Sequence, residues 1–142
     1  MSIDDFRSLG SPPPDGADYL HYDPPVLLFM SSTYDEGELG SLIAKLLYGI
    51  HNYGDGEDWV EILRFDYNPS SEMGHDELHA DVVREGEKAE TLSRKELEDD
   101  ASIPVPRESY YYPHFVASYT RDKWARFVEE YEKDKGMRRY RK

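Results

Sequence analysis

The sequence predicts an α+β fold, in which a small, mostly antiparallel sheet of about four strands carries two main helices packed on one face and a short third helix. Two observations predict this class. Two apolar runs of strand length flank a loop between residues 59 and 84, which is the pattern of a β-hairpin. Two longer segments, one in each half of the chain, have apolar residues at the spacing of a buried helical stripe.

The chain is predicted to form one domain with an extension at each end. Residues 1–25 contain the runs SPPPDG and YDPP, and because proline fixes φ and lacks a donor, we expect an extended or mobile arm. Residues 26–136 form the single α+β domain, which opens with the apolar run VLLFMSS, expected to be a buried strand. Residues 137–142 form a basic tail, since six basic residues and one acidic residue lie from Lys133 onward.

The segment after this strand is predicted to be the first main helix. Asp35 and Glu38 have the spacing of a capping box. Gly37, Gly40 and Gly49 weaken the helix, so they either allow close packing on the sheet or indicate that part of the segment is strand. The apolar stripe consists of Leu39, Leu42, Ile43, Leu46, Leu47 and Ile50.

The central hairpin runs from Trp59 to Arg84. If its two strands pair symmetrically about the loop, Arg64 faces Asp81 and Asp66 faces His79. Because side chains alternate along a strand, these four polar side chains share one face of the sheet. The other face is predicted to carry the core residues Leu63, Phe65, Leu78, Ala80 and Val82.

A short helix and an aromatic strand are predicted after the hairpin. Ser93 and Glu96 form a second capping box, which predicts a short helix from Arg94 to about Asp99. The aromatic run SYYYPHFVA at residues 109–117 is predicted to be a strand, and Pro113 favours an edge strand or a bulge there.

The last helix is the second main helix of the prediction. Ser118 or Thr120 is expected to cap it, and Gly136 to end it. Its apolar stripe consists of Trp124, Phe127, Val128 and Tyr131.

The charge of the chain is its most unusual bulk property. Thirty acidic and seventeen basic residues give a net charge of −13, which repels nucleic-acid phosphates at ordinary salt. In a cytosol near molar salt, where the Debye length is ~3 Å, this repulsion is screened and carboxylates keep the surface hydrated. The composition is therefore typical of a halophile, of haloarchaeal type. An acidic anti-defence protein that mimics DNA is the other interpretation.

Composition also bears on the compartment. The chain has no cysteine, so a reducing interior is expected. Neither a signal sequence nor an apolar run long enough to span a membrane is present, which predicts a cytoplasmic protein with no membrane partner.

The polar residues of the hairpin are the candidates for chemistry. A histidine beside a carboxylate can act as a base near neutral pH, and an arginine can stabilise a phosphate. An RNA-cleaving or phosphoryl-transfer site is therefore suited by Arg64, Asp66, His79 and Asp81. The alternative is that they are cross-strand ion pairs on a solvated face. His75 and His79 are four residues apart, which on a helix places two imidazoles on one metal, with Asp76 or Asp66 as a third ligand. Because the flanking pattern is that of a strand, no metal and no other cofactor is expected, and the two histidines come together only if the loop bends.

The runs RFDYNP at 64–69 and HDELH at 75–79 resemble the signature of the TumE-like toxins of toxin–antitoxin pairs. The resemblance implies that Arg64, Asp66, His75 and His79 are the functional residues and that a cognate antitoxin is the partner. Together with the residue chemistry it predicts a small cytoplasmic toxin-like protein, acting on RNA as a ribonuclease-type enzyme.

A non-catalytic binding or regulatory protein is the alternative function. It would act through the tyrosines of the aromatic run and through the C-terminal helix and basic tail. The sequence leaves the oligomeric state open.

Overall fold

The computed structural model describes residues 17–22, 24–52, 56–69, 75–138 and 140. Within these residues, six antiparallel strands form one sheet, and each strand pairs with the next along the chain. The strands are β1 (Ala17–Tyr22), β2 (Pro25–Asp35), β3 (Glu38–Asn52), β4 (Gly56–Asn68), β5 (His75–Arg84) and β6 (Glu87–Leu92). Helical structure consists of α1 (Arg94–Asp100), a 3₁₀ turn (Ser109–Tyr111) and α2 (Tyr112–Lys135).

The fold is α+β and antiparallel, but the predicted sheet of about four strands with two main helices is wrong. The described residues contain six strands and one long helix. β1 lies within residues 1–25, the segment expected to form an arm. β6 lies in the charged stretch before Ser93, where no strand was expected. The third additional strand, β3, replaces the predicted first helix.

The prediction at β3 was wrong because the apolar residues of this segment fit both the period of a helix and that of a strand. Leu42 and Leu46 are buried in the main core, whereas Leu47 belongs to a separate cluster on the other side of the sheet and Ile43 is 43% exposed. Adjacent apolar pairs four residues apart fit one stripe of a helix, and they fit equally a strand with apolar residues on both faces.

The capping box expected at the start of that helix closes a hairpin instead. Asp35 and Glu38 are the last paired residues of β2 and β3. Between them Glu36 has φ 52° and Gly37 has φ 81°, so both turn residues are left-handed. Two consecutive left-handed residues define the type I′ turn, whose twist matches that of the flanking strands.

The aromatic run at residues 109–117, predicted to be a strand, is the 3₁₀ turn and the start of α2. Pro113 lies in the first turn of α2, where a backbone N–H has no helical partner and proline is well tolerated. Burial of Tyr112, Phe115 and Val116 on one side of the helix outweighs the preference of aromatic residues for strands.

For α1 and α2, two predictions about helix ends are confirmed and one is wrong. Ser93 and Glu96 form both hydrogen bonds of a capping box at the start of α1. Gly136 ends α2 in the left-handed conformation, with φ 67°. Thr120 does not cap α2, because its hydroxyl lies inside the helix and donates to the carbonyl of Val116.

The main core lies between α2 and one side of the sheet, which we call the helix face. Phe65 packs edge-on against Tyr119, with ring centroids 5.7 Å apart, and Tyr67 packs against Tyr112 at 5.1 Å. The opposite side of the sheet is called the second face. Because side chains alternate along each strand, the residues between the core positions of β4 and β5 lie on it.

The described part of the C-terminal tail is attached to α2. The backbone N–H of Tyr140 donates to the buried carboxylate of Glu132, at 2.9 Å from Oε2. The ring of Tyr140 also packs on Trp124, with centroids 5.2 Å apart. Neither α1 nor α2, the helices of the described chain, is long and apolar enough to cross a membrane.

Candidate functional site

The register of the central hairpin is confirmed. Arg64 lies opposite Asp81, and Asp66 lies opposite His79. Phe65, between Arg64 and Asp66, is buried in the core on the helix face, so the polar residues on either side of it lie on the second face. We call Arg64, Asp66, His79 and Asp81 the polar ladder.

Asp81 is the centre of the polar ladder. The residue is only 1% exposed, so its carboxylate depends on neighbouring donors and cations. Oδ1 accepts a hydrogen bond from the hydroxyl of Thr91 at 2.7 Å. Oδ2 lies 3.4 Å from Nε2 of His79 and 3.7 Å from Nζ of Lys88. The buried carboxylate thereby fixes side chains from β5 and β6 around one point.

Arg64 is fixed by a partner on its own strand. Its guanidinium donates to both carboxylate oxygens of Glu61, from Nε to Oε1 and from Nη2 to Oε2 at 2.9 Å. These hydrogen bonds raise the pKa of Arg64 above its ordinary value, and the charges of Asp81 and Asp66 add to the effect. Arg64 is therefore a permanent cation with its fork held in place.

A bulge in β4 makes this contact possible. The pairing of β3 with β4 shifts so that Leu46 faces Leu63 and Leu47 faces Glu61, which leaves Ile62 as an extra residue. Residues three apart on a regular strand lie on opposite faces, but an inserted residue returns Glu61 to the second face.

Access to the ladder differs between its members. The side chain of Arg64 is 33% exposed, whereas that of His79 is 13% exposed. Nδ1 of His79 lies 3.4 Å from the carbonyl oxygen of Glu77, so both ring nitrogens have an oxygen neighbour. Arg64 is therefore the more accessible of the two side chains to a ligand on the second face.

His75 is the fourth residue implied by the resemblance. Its backbone pairs with Asn68 at the start of β5, further along the same hairpin than Asp66 and His79. Its side chain lies outside the described part of the structure. Across the described residues, no three histidine or carboxylate side chains come together in a way that could hold a metal ion.

Three partners of the ladder were not predicted: Glu61, Thr91 and Lys88. Lys88 and Thr91 lie on β6, in a charged stretch that shows no strand period. Glu61 depends on the bulge, which has no sequence signal of its own. The alternation of polar and apolar residues therefore predicted the polar ladder but not the neighbouring side chains that pair with Arg64 and Asp81.

Comparisons with known proteins identify no relative of this chain. No protein-family model matches the chain, and no curated protein or solved structure matches it.

Proposed function

We propose that this chain is a small cytoplasmic toxin-like protein of a toxin–antitoxin pair, and that its polar ladder acts on RNA. One observation carries the proposal: Nε2 of His79 lies 3.4 Å from the buried carboxylate of Asp81, and Arg64 lies directly across the strand pair from Asp81. A histidine oriented by a carboxylate, next to a fixed cation, is suited to proton transfer near a phosphate.

The residues have distinct roles in this proposal. When Nε2–H of His79 donates to Asp81, Nδ1 is the nitrogen that takes the proton of a ribose 2′-hydroxyl, and the substrate must displace Nδ1 from its 3.4 Å contact with the carbonyl oxygen of Glu77. The 2′-oxygen then bonds to the adjacent phosphorus, the bond from phosphorus to the 5′-oxygen breaks, and the leaving oxygen takes a proton from the protonated His79. Arg64 stabilises the charge that develops on the phosphate oxygens.

The acidic surface is compatible with this substrate in a halophile. At molar salt the Debye length is ~3 Å, so the net charge of −13 is screened over longer distances while a direct contact from Arg64 to a phosphate remains. The composition supports such a habitat, and the proposal includes it.

Expression in a high-salt host tests the function. We expect the wild type to arrest growth and degrade cellular RNA, and the double variant Arg64→Ala/His79→Ala to do neither. The matched control is Arg107→Ala/His114→Ala, which removes the same two residue types at exposed positions outside the ladder. A ladder variant that is folded and as toxic as the wild type would refute the proposal.

A second candidate function is binding without catalysis, through the surface tyrosines. Tyr110 and Tyr111 are 50% and 52% exposed and their ring centroids lie 5.2 Å apart, so they form a contiguous exposed aromatic surface, which is typical of a binding site. This function predicts that the ladder variant keeps its activity and that tyrosine variants lose a partner.

A further inference from the structure

Three half-exposed tyrosines from two distant parts of the chain form one group on the surface. The ring of Tyr34, near the end of β2, lies 5.6 Å from that of Tyr110 in the 3₁₀ turn, measured between centroids. Tyr110 in turn lies 5.2 Å from Tyr111. Tyr34 is 50% exposed, as Tyr110 is. We call these three residues the tyrosine cluster.

The chain around the tyrosine cluster is acidic. Asp35 and Glu38 face each other one rung beyond Tyr34, and Glu36 lies in the turn that joins them. Glu108 lies just before the 3₁₀ turn, and all four acidic side chains are exposed. Two basic residues lie nearby: Arg107 precedes Glu108, and Arg94 donates to the hydroxyl of Tyr112 and to the carbonyl of Pro106. The cluster therefore combines exposed π-faces with a negative rim.

We propose that the tyrosine cluster and its acidic rim bind an arginine-rich segment of a partner protein. The guanidinium group stacks on aromatic faces and also pairs with carboxylates, so one side chain can use both features of this surface. Lysine matches the rim but stacks less well, because its ammonium is compact and strongly hydrated.

The charge of the rim separates this partner from a nucleic acid. Single strands stack bases on tyrosines, but such sites line the phosphate path with cations. Here the flanking groups are mostly carboxylates, which repel phosphates. A basic protein segment is the occupant that the charges favour.

The described residues of the basic tail lie near the opposite end of α2 from this surface. The tail follows the C-terminal end of α2, whereas the tyrosine cluster contacts the N-terminal end of this 24-residue helix. The two ends are separated by roughly 36 Å, at ~1.5 Å per residue.

The inference deepens the second candidate function and does not depend on the ladder acting on RNA. Where the toxin proposal also holds, the partner is the antitoxin. The experiments distinguish a failure of the peptide-binding proposal from a failure of the toxin proposal, because peptide binding is measured on tyrosine variants and growth arrest on ladder variants.

Fluorescence anisotropy with a labelled oligo-arginine peptide tests the proposal. We expect the double variant Tyr34→Ala/Tyr110→Ala to bind about 5- to 30-fold more weakly than the wild type, from two stacking contacts of roughly 0.5–1 kcal/mol each. The matched control is Tyr22→Ala, which removes a tyrosine that is 57% exposed and lies outside the cluster. The control is expected to bind as the wild type does.

Further measurements separate the contribution of the acidic rim from that of stacking on the tyrosines. Asp35→Asn/Glu38→Gln is expected to weaken peptide binding at low salt and to have less effect near molar salt. An oligo-lysine peptide is expected to bind more weakly than the arginine peptide. The proposal is overturned if the tyrosine double variant binds like Tyr22→Ala, if the arginine peptide fails to bind at low salt, or if oligo-uridine RNA binds with the tyrosine dependence expected of the peptide.

Discussion

The ion pair that joins α1 to α2 gives the sharpest stability prediction. Asp100, in the last turn of α1, accepts two hydrogen bonds of 2.7 Å from the guanidinium of Arg126 and one of 2.6 Å from the hydroxyl of Tyr119. The hydrogen bonds from Arg126 are the main cause that lowers the pKa of Asp100 from 3.8 to about 2, against the opposing effect of burial.

This shift implies a definite dependence of stability on pH. Because the folded-state pKa of Asp100 lies below the unfolded value, the ionised carboxylate stabilises the fold above about pH 4, and this contribution is lost as the pH falls to about 2. The shift corresponds to about 2.5 kcal/mol at full value. The side chains of Asp100 and Arg126 are 28% and 41% exposed, so solvent screening reduces the expected contribution to roughly 1–2 kcal/mol.

The substitution Asp100→Asn tests this contribution when the free energy of unfolding is measured in urea at pH 7 and pH 3. We expect a loss of about 1–2 kcal/mol at pH 7 and about half of that difference from the wild type at pH 3. Asp99→Asn, at the exposed neighbouring position, is the matched control and should cost less than ~0.5 kcal/mol. An Asp100→Asn effect that equals the control, or that is the same at both pH values, would contradict a stabilising role of the ionised Asp100.

Two further predictions concern single side chains and are checked by urea unfolding. Glu132→Ala should lower the free energy of unfolding by about 2–4 kcal/mol, because it removes the carboxylate that accepts the hydrogen bond of the buried Tyr48 hydroxyl at 2.5 Å. Glu130→Ala, at an exposed position of the same helix, is the control. Equal effects of the two substitutions would contradict a stabilising role of the Tyr48–Glu132 hydrogen bond. Ser93→Ala should cost about 1 kcal/mol through loss of the cap of α1, whereas Ser93→Asp should retain most of the stability; a neutral Ser93→Ala would count against the cap.

Elements encoded by local chemistry could be predicted from the sequence. The capping box at Ser93 and the left-handed end at Gly136 depend on a few adjacent residues. The hairpin register was also predictable, because polar and apolar residues alternate on both strands and a slip of one residue would bury Arg64 and Asp66.

Elements determined by long-range packing could not be predicted. The pairs Leu42–Ile43 and Leu46–Leu47 fit a helix and a two-sided strand equally, and the choice depends on neighbours from β2 and β4. The aromatic run has strand propensity, yet Tyr112 becomes helical because its ring packs on Tyr67 from a distant strand.

The candidate site, too, was predictable only where the local alternation of polar and apolar residues determines it. Alternation places Arg64, Asp66, His79 and Asp81 on one face, but burial of Asp81 depends on the edge strand β6. The contact of Arg64 with Glu61 depends on a bulge, which sequence periodicity does not indicate.

The most direct test of the account is cleavage of labelled single-stranded RNA by the purified protein at molar salt. The wild type and Arg107→Ala/His114→Ala should release fragments that end in a 2′,3′-cyclic phosphate. Arg64→Ala/His79→Ala should release none while remaining folded at the assay temperature, although it unfolds at a lower temperature because buried Asp81 loses neighbouring cations. Absence of cleavage by the folded wild type, or equal cleavage by the ladder variant, would contradict the claim that the polar ladder acts on RNA.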